Sequence, residues 1–127
     1  MSNILIIGAN RGLGLEFVKQ YSNTNHNIIA TTRNKESSKE LIKINNIDIA
    51  ELDLSSDASV NNFVTSIGSQ KIDILIHNAG IFSDEQLKED LDTDAWMNEM
   101  RINAVIPIIL ARKLKNNLKM GLSLIHI

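Results

Sequence analysis

Cysteine is missing altogether from the 127 residues, which excludes a disulfide framework, a thiol nucleophile and a Cys-ligated zinc. The absence is compatible with a reducing cytoplasm. Nor is there a basic excess. Lys and Arg number 13 against 15 Asp and Glu, a net charge of −2, whereas nucleic-acid binders usually carry a strong surplus of cations. No apolar run approaches the ~20 residues needed to span a bilayer. The opening Met1 to Gly8 has no basic segment and too short an apolar stretch for a secretory signal. His26, His77 and His126 are scattered, with nothing near them at metal-ligand spacing, so no metal site is expected. The expectation is a soluble cytoplasmic protein with neither nucleic acid nor membrane as partner.

What is present is ordinary globular material, 43% hydrophobic and 22% charged, enough for one unit over residues 1–127. Strand-like and helix-like segments alternate. Ile4–Ile7 is a continuous apolar run, as in a parallel strand covered on both faces. Gly14–Tyr21 reads as a helix with Phe17, Val18 and Tyr21 on one face. A strand over Asn27–Thr32 follows, then a polar helix over Lys35–Asn45 with Leu41 and Ile42 inward. Ile47–Leu52 is a third strand. Ser55 or Ser56 can cap the next helix, whose Val60, Phe63, Val64 and Ile67 form an apolar stripe. Ile72–Ile76 is a fourth strand, Ser83–Asp92 a loop or short helix, and Asp94 to about Leu118 one long helix, with Ala104 to Leu110 apolar nearly all round. Gly121–Ile127 looks like the start of a fifth strand. This order predicts an α/β fold, a doubly wound parallel sheet with helices on both faces and right-handed crossovers.

The first strand and helix are joined by Gly8-Ala9-Asn10-Arg11-Gly12-Leu13-Gly14. Gly8 permits a sharp exit from the strand, Gly12 a close approach by a ligand, and Gly14 tight contact between helix and strand. The helix N-terminus offers unpaired N–H groups and a partial positive charge to a pyrophosphate. NAD-binding sheets place a carboxylate near the end of strand two to take the ribose hydroxyls. Here that stretch reads Ala30-Thr31-Thr32-Arg33-Asn34, without an acid. Arg33 can pair with a 2′-phosphate and stack on adenine, and Arg11 can reach the same phosphate. The residues therefore favour NADP(H).

With the glycine turn, Ile4 to Val18 resembles the opening of short-chain dehydrogenases/reductases, especially their sniffer-like carbonyl-reductase branch. Ile7 stands where that family usually has Thr. Asp53-Leu54 matches the position whose Asp contacts the adenine amine. Asn78-Ala79-Gly80 is similar to the end of the family's Asn-Asn-Ala-Gly signature, with His77 in place of the first Asn. That signature steadies the sheet and lines the cofactor site. Asn103 lies four residues before Pro107, which has no N–H to give its carbonyl. In the family the corresponding carbonyl holds a water of the proton relay, so Asn103 is the one catalytic-set residue expected here.

The resemblance implies a Rossmann-type sheet and hydride transfer between NADP(H) and a small carbonyl or alcohol substrate; the sequence leaves the oligomeric state open, a homo-oligomer among the alternatives. It also implies a Ser at the end of strand five, a Tyr and a Lys four residues after it. The only tyrosine is Tyr21, followed at that spacing by Asn25, and Ser123 sits too early in its strand. The expectation is therefore a C-terminally truncated chain, with the sheet incomplete after the start of strand five and no activity of its own. The competing expectation is a non-catalytic nucleotide-binding or interaction module, or a non-functional fragment.

Overall fold

A computed structural model describes residues 1–83 and 87–127, with side chains at 120–124 outside the description. The strands are β1 (Asn3–Ile7), β2 (Asn27–Thr32), β3 (Asp48–Glu51), β4 (Ile72–His77) and β5 (Leu118–His126). They pair in parallel as one sheet of order β3-β2-β1-β4-β5. Ile6 of β1 lies between Ala30 of β2 and Ile76 of β4. The helices are α1 (Gly12–Ser22), α2 (Lys39–Ile42), α3 (Asp57–Ile67), α4 (Thr93–Met100) and α5 (Ile106–Lys113), with a π-helical segment, Arg101–Val105, joining the last two.

Successive side chains of a strand point to opposite faces, and β1 buries both sets. Ile4 and Ile6 pack with Val18 of α1 and Leu41 of α2. Leu5 and Ile7 pack with Val60, Phe63 and Ile67 of α3 and with Ile106 and Leu110 of α5. That explains the unbroken apolar run in β1 and the doubly wound architecture. The α3 stripe is the anchor of its face: truncating the buried Phe63 to Ala would cost on the order of 3–5 kcal/mol. Ser56, not Ser55, caps α3, its side chain accepting from the Ser59 N–H.

Two helices differ from the sequence expectation. The helix expected over Lys35–Asn45 is confined to Lys39–Ile42. Residues 34–38 are instead tied by local side-chain bonds. The Asn34 carbonyl accepts from the hydroxyls of Ser37 and Ser38, and its Oδ1 accepts from the Glu36 N–H. Such bonds compete with the helical ladder. Only Leu41 faces inward; Ile42 is 53% exposed.

The expected single helix from Asp94 to Leu118 is α4, the π-helical segment and α5, and Leu118 already belongs to β5. Pro107 is the cause at the centre, because in a regular α-helix its ring would crowd the Asn103 carbonyl; the wider π turn relieves this. Asn117 ends the helical region, its buried side-chain amide donating to the carbonyls of Gly68 and Gln70. Lys119 pairs with Asp73 of β4 at 2.9 Å. The stretch expected to be apolar all round buries Ile106 and Leu110 but exposes Val105 and Ile108. Part of the expected Ser83–Asp92 loop, residues 84–86, lies outside the described residues. Among the described residues no helix is long and apolar enough to cross a membrane.

Candidate functional site

In the order β3-β2-β1-β4-β5 the chain leaves β1 toward β2 and β3, then returns to β4 on the other side of β1. Ligand crevices of open parallel sheets form at such a reversal, outside the carboxyl ends of the strands. A cleft of about 820 Å³ opens there. It is lined by the glycine turn, the ends of β2 and β3, and the turn after β4.

The glycine turn supplies the first wall. Gly8 has φ +81°, and a Cβ there would stand 2.7 Å from the Ala79 Cα, so only glycine lets the two turns touch. Its N–H donates to the Thr31 hydroxyl at 3.1 Å, and the next N–H, of Ala9, to the Thr31 carbonyl. Gly12 has φ +58°, and the space its Cβ would occupy is empty to 4 Å. Gly14 lies beneath, buried, where a Cβ would strike the Gly8 carbonyl oxygen. Among the described residues no side chain caps α1, and no acid stands in its first turn. By contrast, the side chains of Ser56 and Asp92 cap α3 and α4. The N-terminus of α1 thus keeps its positive end facing the cleft.

Arg11 and Arg33 are exposed and line the same cleft, Arg33 directly after β2 with Thr32 and Asn34 on either side. Among the described residues no carboxylate stands at that strand end, and Asp53, beyond β3, is the one acid of the lining. The Ser55 hydroxyl, 2.6 Å from Oδ1, and then the Ser55 N–H hold the Asp53 carboxyl below its ordinary pKa, and the charges of Arg33 and Arg101 add to this. Leu54 beside it is buried.

The turn after β4 closes the far side. The N–H groups of Asn78 and Ala79 both donate to the Ile7 carbonyl, and the Asn78 side-chain amide donates to the Gly8 carbonyl at 2.9 Å. The turn is therefore stapled to the glycine loop across the reversal point. His77 precedes it and is 2% exposed, and among the described residues its Nε2 has no hydrogen-bond partner. Burial pushes its pKa down to about 4, with the nearby His126 contributing.

The cleft lining brings together Gly8, Asn10, Arg11, Gly12 and Leu13 with Arg33, Asp53 and Leu54 and with Asn78, Ala79 and Gly80. Two of the sequence-derived residues do not line it. Gly14 acts from below, as described. Asn103 stands behind the turn, its Oδ1 accepting from the Ile81 N–H at 2.8 Å and its Nδ2 donating to the Ile81 carbonyl at 2.6 Å. One helical turn earlier, the buried Glu99 accepts from both the N–H and the hydroxyl of Ser83. Sequence reasoning missed Glu99, and also Ser37, Asn98 and Ile102 of the lining. Glu99 and Asn103, four apart, share a helix face, but nothing in the sequence says which loop that face meets.

An uncapped helix N-terminus at the reversal point of a parallel sheet is how doubly wound α/β proteins hold dinucleotides. The chain belongs to the short-chain dehydrogenase/reductase family: the family model described as short chain dehydrogenase matches residues 2–122. An uncharacterised oxidoreductase of Schizosaccharomyces pombe is 33% identical over 110 residues, spanning 81% of this chain and 44% of the relative. A carbonyl reductase from Pseudomonas aeruginosa, solved in complex with NADP, is similar at TM-score 0.87 and 27% identity, over 98% of this chain and 59% of that one. The Sniffer protein of Caenorhabditis elegans is similar at TM-score 0.81 and 30% identity, over 91% of this chain and 53% of that one. The chain therefore spans about half the length of these relatives.

Proposed function

We infer that the chain forms the NADP(H) site of an oxidoreductase acting on a small carbonyl or alcohol substrate. The observation that carries this reading is the cleft itself, where an uncapped helix N-terminus and two arginines converge and the end of β2 bears no acid. The residues fit a dinucleotide phosphate. The volume suits a ligand of that size, the space above Gly12 is open among the described residues, and the cations of Arg11 and Arg33 line the same cleft. The NADP complex of the Pseudomonas aeruginosa carbonyl reductase supports the assignment.

When bound, NADP(H) supplies or accepts the hydride; the protein binds and orients. The first N–H groups of α1 would hold the pyrophosphate. Arg11 and Arg33 would hold the 2′-phosphate. Asp53, its carboxyl held below its ordinary pKa, would accept from the adenine amine. Asn78, Ala79 and Gly80 would line the cofactor site. The side chain of Asn103 fixes the Ile81 backbone, and its carbonyl, which receives no N–H from Pro107, would hold a relay water. Tyr21 packs edge-on to His26 and is absent from the cleft lining, so it is not a proton donor to a substrate there.

The test is titration of the chain with NADPH and NADH, followed by Arg33→Asp. NADPH is expected to bind at least about tenfold more tightly, since a charge-assisted phosphate contact contributes ~1.5–3 kcal/mol. The variant should lose that preference. Equal affinity for the two cofactors overturns the assignment. In the same samples no NADPH-dependent reduction of carbonyls is expected from these 127 residues, because their one tyrosine lies away from the cleft. Turnover that survives repurification would show that another group delivers the proton.

A further inference from the structure

The loop between β3 and α3 forms the wall of the cleft on the side of Asp53 and Leu54. Most of its polar groups are tied within the loop or to the first turn of α3. The Asp53 N–H donates to the Ser59 hydroxyl, the Asp53 carbonyl accepts from the Ser56 N–H, and Oδ1 accepts twice from Ser55. The Leu54 carbonyl is held differently, by a residue 47 positions away. Arg101, at the start of the π-helical segment, donates from Nε to that carbonyl at 3.1 Å and from Nη2 to Asp57 Oδ1 at 2.7 Å. The Arg101 side chain is 28% exposed, while that of Asp57 is 85% exposed. The Nε arm of this planar fork is oriented by its bond to the Leu54 carbonyl, and the exposed Asp57 carboxylate meets the other arm at the surface.

We propose that Arg101 is a positioning residue for the adenosine half of the cofactor, holding the Leu54 backbone so that Asp53 and Leu54 meet the base as a preformed wall. This rests on the NADP(H) reading above. Leu54 is 6% exposed and Asp53 precedes it directly, so a shift of the Leu54 carbonyl displaces both groups that face the ligand. Without the pin, the loop must be ordered at the moment of binding, and that entropy is subtracted from affinity. Arg101 also adds its positive charge near Asp53. The same two helical turns carry Glu99 and Asn103, which hold Ser83 and Ile81 across the cleft. Both walls are therefore anchored on one element, and Arg101 serves the adenosine side alone.

The test compares the parent chain with Arg101→Met and Asp57→Asn, titrated with NADPH and with 2′,5′-ADP, which lacks the nicotinamide half. Arg101→Met is expected to weaken both ligands by the same factor, about tenfold, as for loss of a hydrogen bond to a charged group. Asp57→Asn keeps the bond to Leu54 and should stay within about twofold. A merely structural role for Arg101 would instead make the two variants alike, with affinity following thermal stability. Unchanged binding of 2′,5′-ADP by Arg101→Met, or an equal loss in Asp57→Asn, overturns the proposal. If Arg101→Met does not fold, Arg101→Lys takes its place. It keeps the charge but not the two-armed fork, and parent-like affinity for 2′,5′-ADP would be equally decisive against the proposal. A parent chain that binds neither ligand removes the NADP(H) reading and this one with it; a parent that binds both isolates Arg101.

Discussion

Replacing Gly14 with Ala sets two effects of opposite sign against each other. By helix propensity alone the change should stabilise α1, since Gly is ~1 kcal/mol worse than Ala in a helix interior. The surroundings say otherwise. A Cβ at Gly14 would strike the Gly8 carbonyl oxygen and come within 2.7 Å of the Asn78 Nδ2. Those two atoms are themselves hydrogen-bonded at 2.9 Å, so the methyl group enters where the glycine turn is stapled to the turn after β4. Neither partner can retreat: Gly8 is held through Thr31, and Asn78 through its N–H to Ile7. Overpacking of this kind costs ~1–3 kcal/mol, and loss of the staple about 1 kcal/mol more. The clash therefore wins, for a net loss of about 1–3 kcal/mol. For a chain of this length that is a melting temperature lower by roughly 5–10 °C. Gly12→Ala is the control. Nothing lies within 4 Å of its Cβ, but its φ of +58° carries a left-handed penalty of about 1–2 kcal/mol, and the new methyl projects into the cleft. Thermal and urea unfolding of both variants decide the matter. A Gly14→Ala chain as stable as the parent, or more so, would refute the packing argument.

His77 should make stability depend on pH in a window of its own. Its native pKa of about 4 lies below the ordinary 6.5, so the unfolded chain binds the extra proton first. Stability is full above about pH 6.5 and falls as pH drops toward 4, by at most about 3 kcal/mol. The depressed carboxyls of Asp53, Asp57 and Asp73 lose their contribution only below that range. Urea unfolding between pH 7 and 4 should show the slope in the parent and a flatter one in His77→Asn; identical slopes would remove His77 as its source. Met97, Met100 and Ile108, at 61%, 50% and 63% exposed, form an apolar stripe along α4 and α5, and β5 is an outer strand of the sheet. Both features favour association. Sedimentation is expected to show dimers or larger species, and Ile108→Glu to shift them toward monomer. A monodisperse parent monomer at high micromolar concentration would contradict this.

The sheet and most of the cleft were legible because their signals are local. An unbroken apolar run in β1 requires cover on both faces, and the stripe of α3 can serve only a helix lying on one of them. Gly8 and Gly12 mark positive φ at a strand-to-helix turn, and Arg33 without an acid beside it marks the chemistry of the β2 end. Where the reading failed, a local competitor had been overlooked. Asn34, Ser37 and Ser38 have the composition of a side-chain-bonded turn, and they shortened the helix expected over Lys35–Asn45 to Lys39–Ile42. Pro107 has no N–H for the Asn103 carbonyl, and the wider π turn beside it carries no separate signal in the sequence.

What no local signal could supply is the pairing between α4, the π-helical segment and the loops above the sheet. Glu99 reads as one more exposed helical acid until the fold sets Ser83 against it. Arg101 reads as a solvated cation until the β3–α3 loop arrives beneath it. Asn103 was singled out for its carbonyl, yet its side chain carries the visible work, bracketing the Ile81 backbone from both sides. The three are two residues apart in succession, and a helix turns about 200° over two residues. Glu99 and Asn103 therefore share a face that meets one wall of the cleft, and Arg101 meets the other. That alternation follows from helical geometry, but the identity of the walls follows only from the order β3-β2-β1-β4-β5, which places the loops after β3 and β4 on either side of the segment.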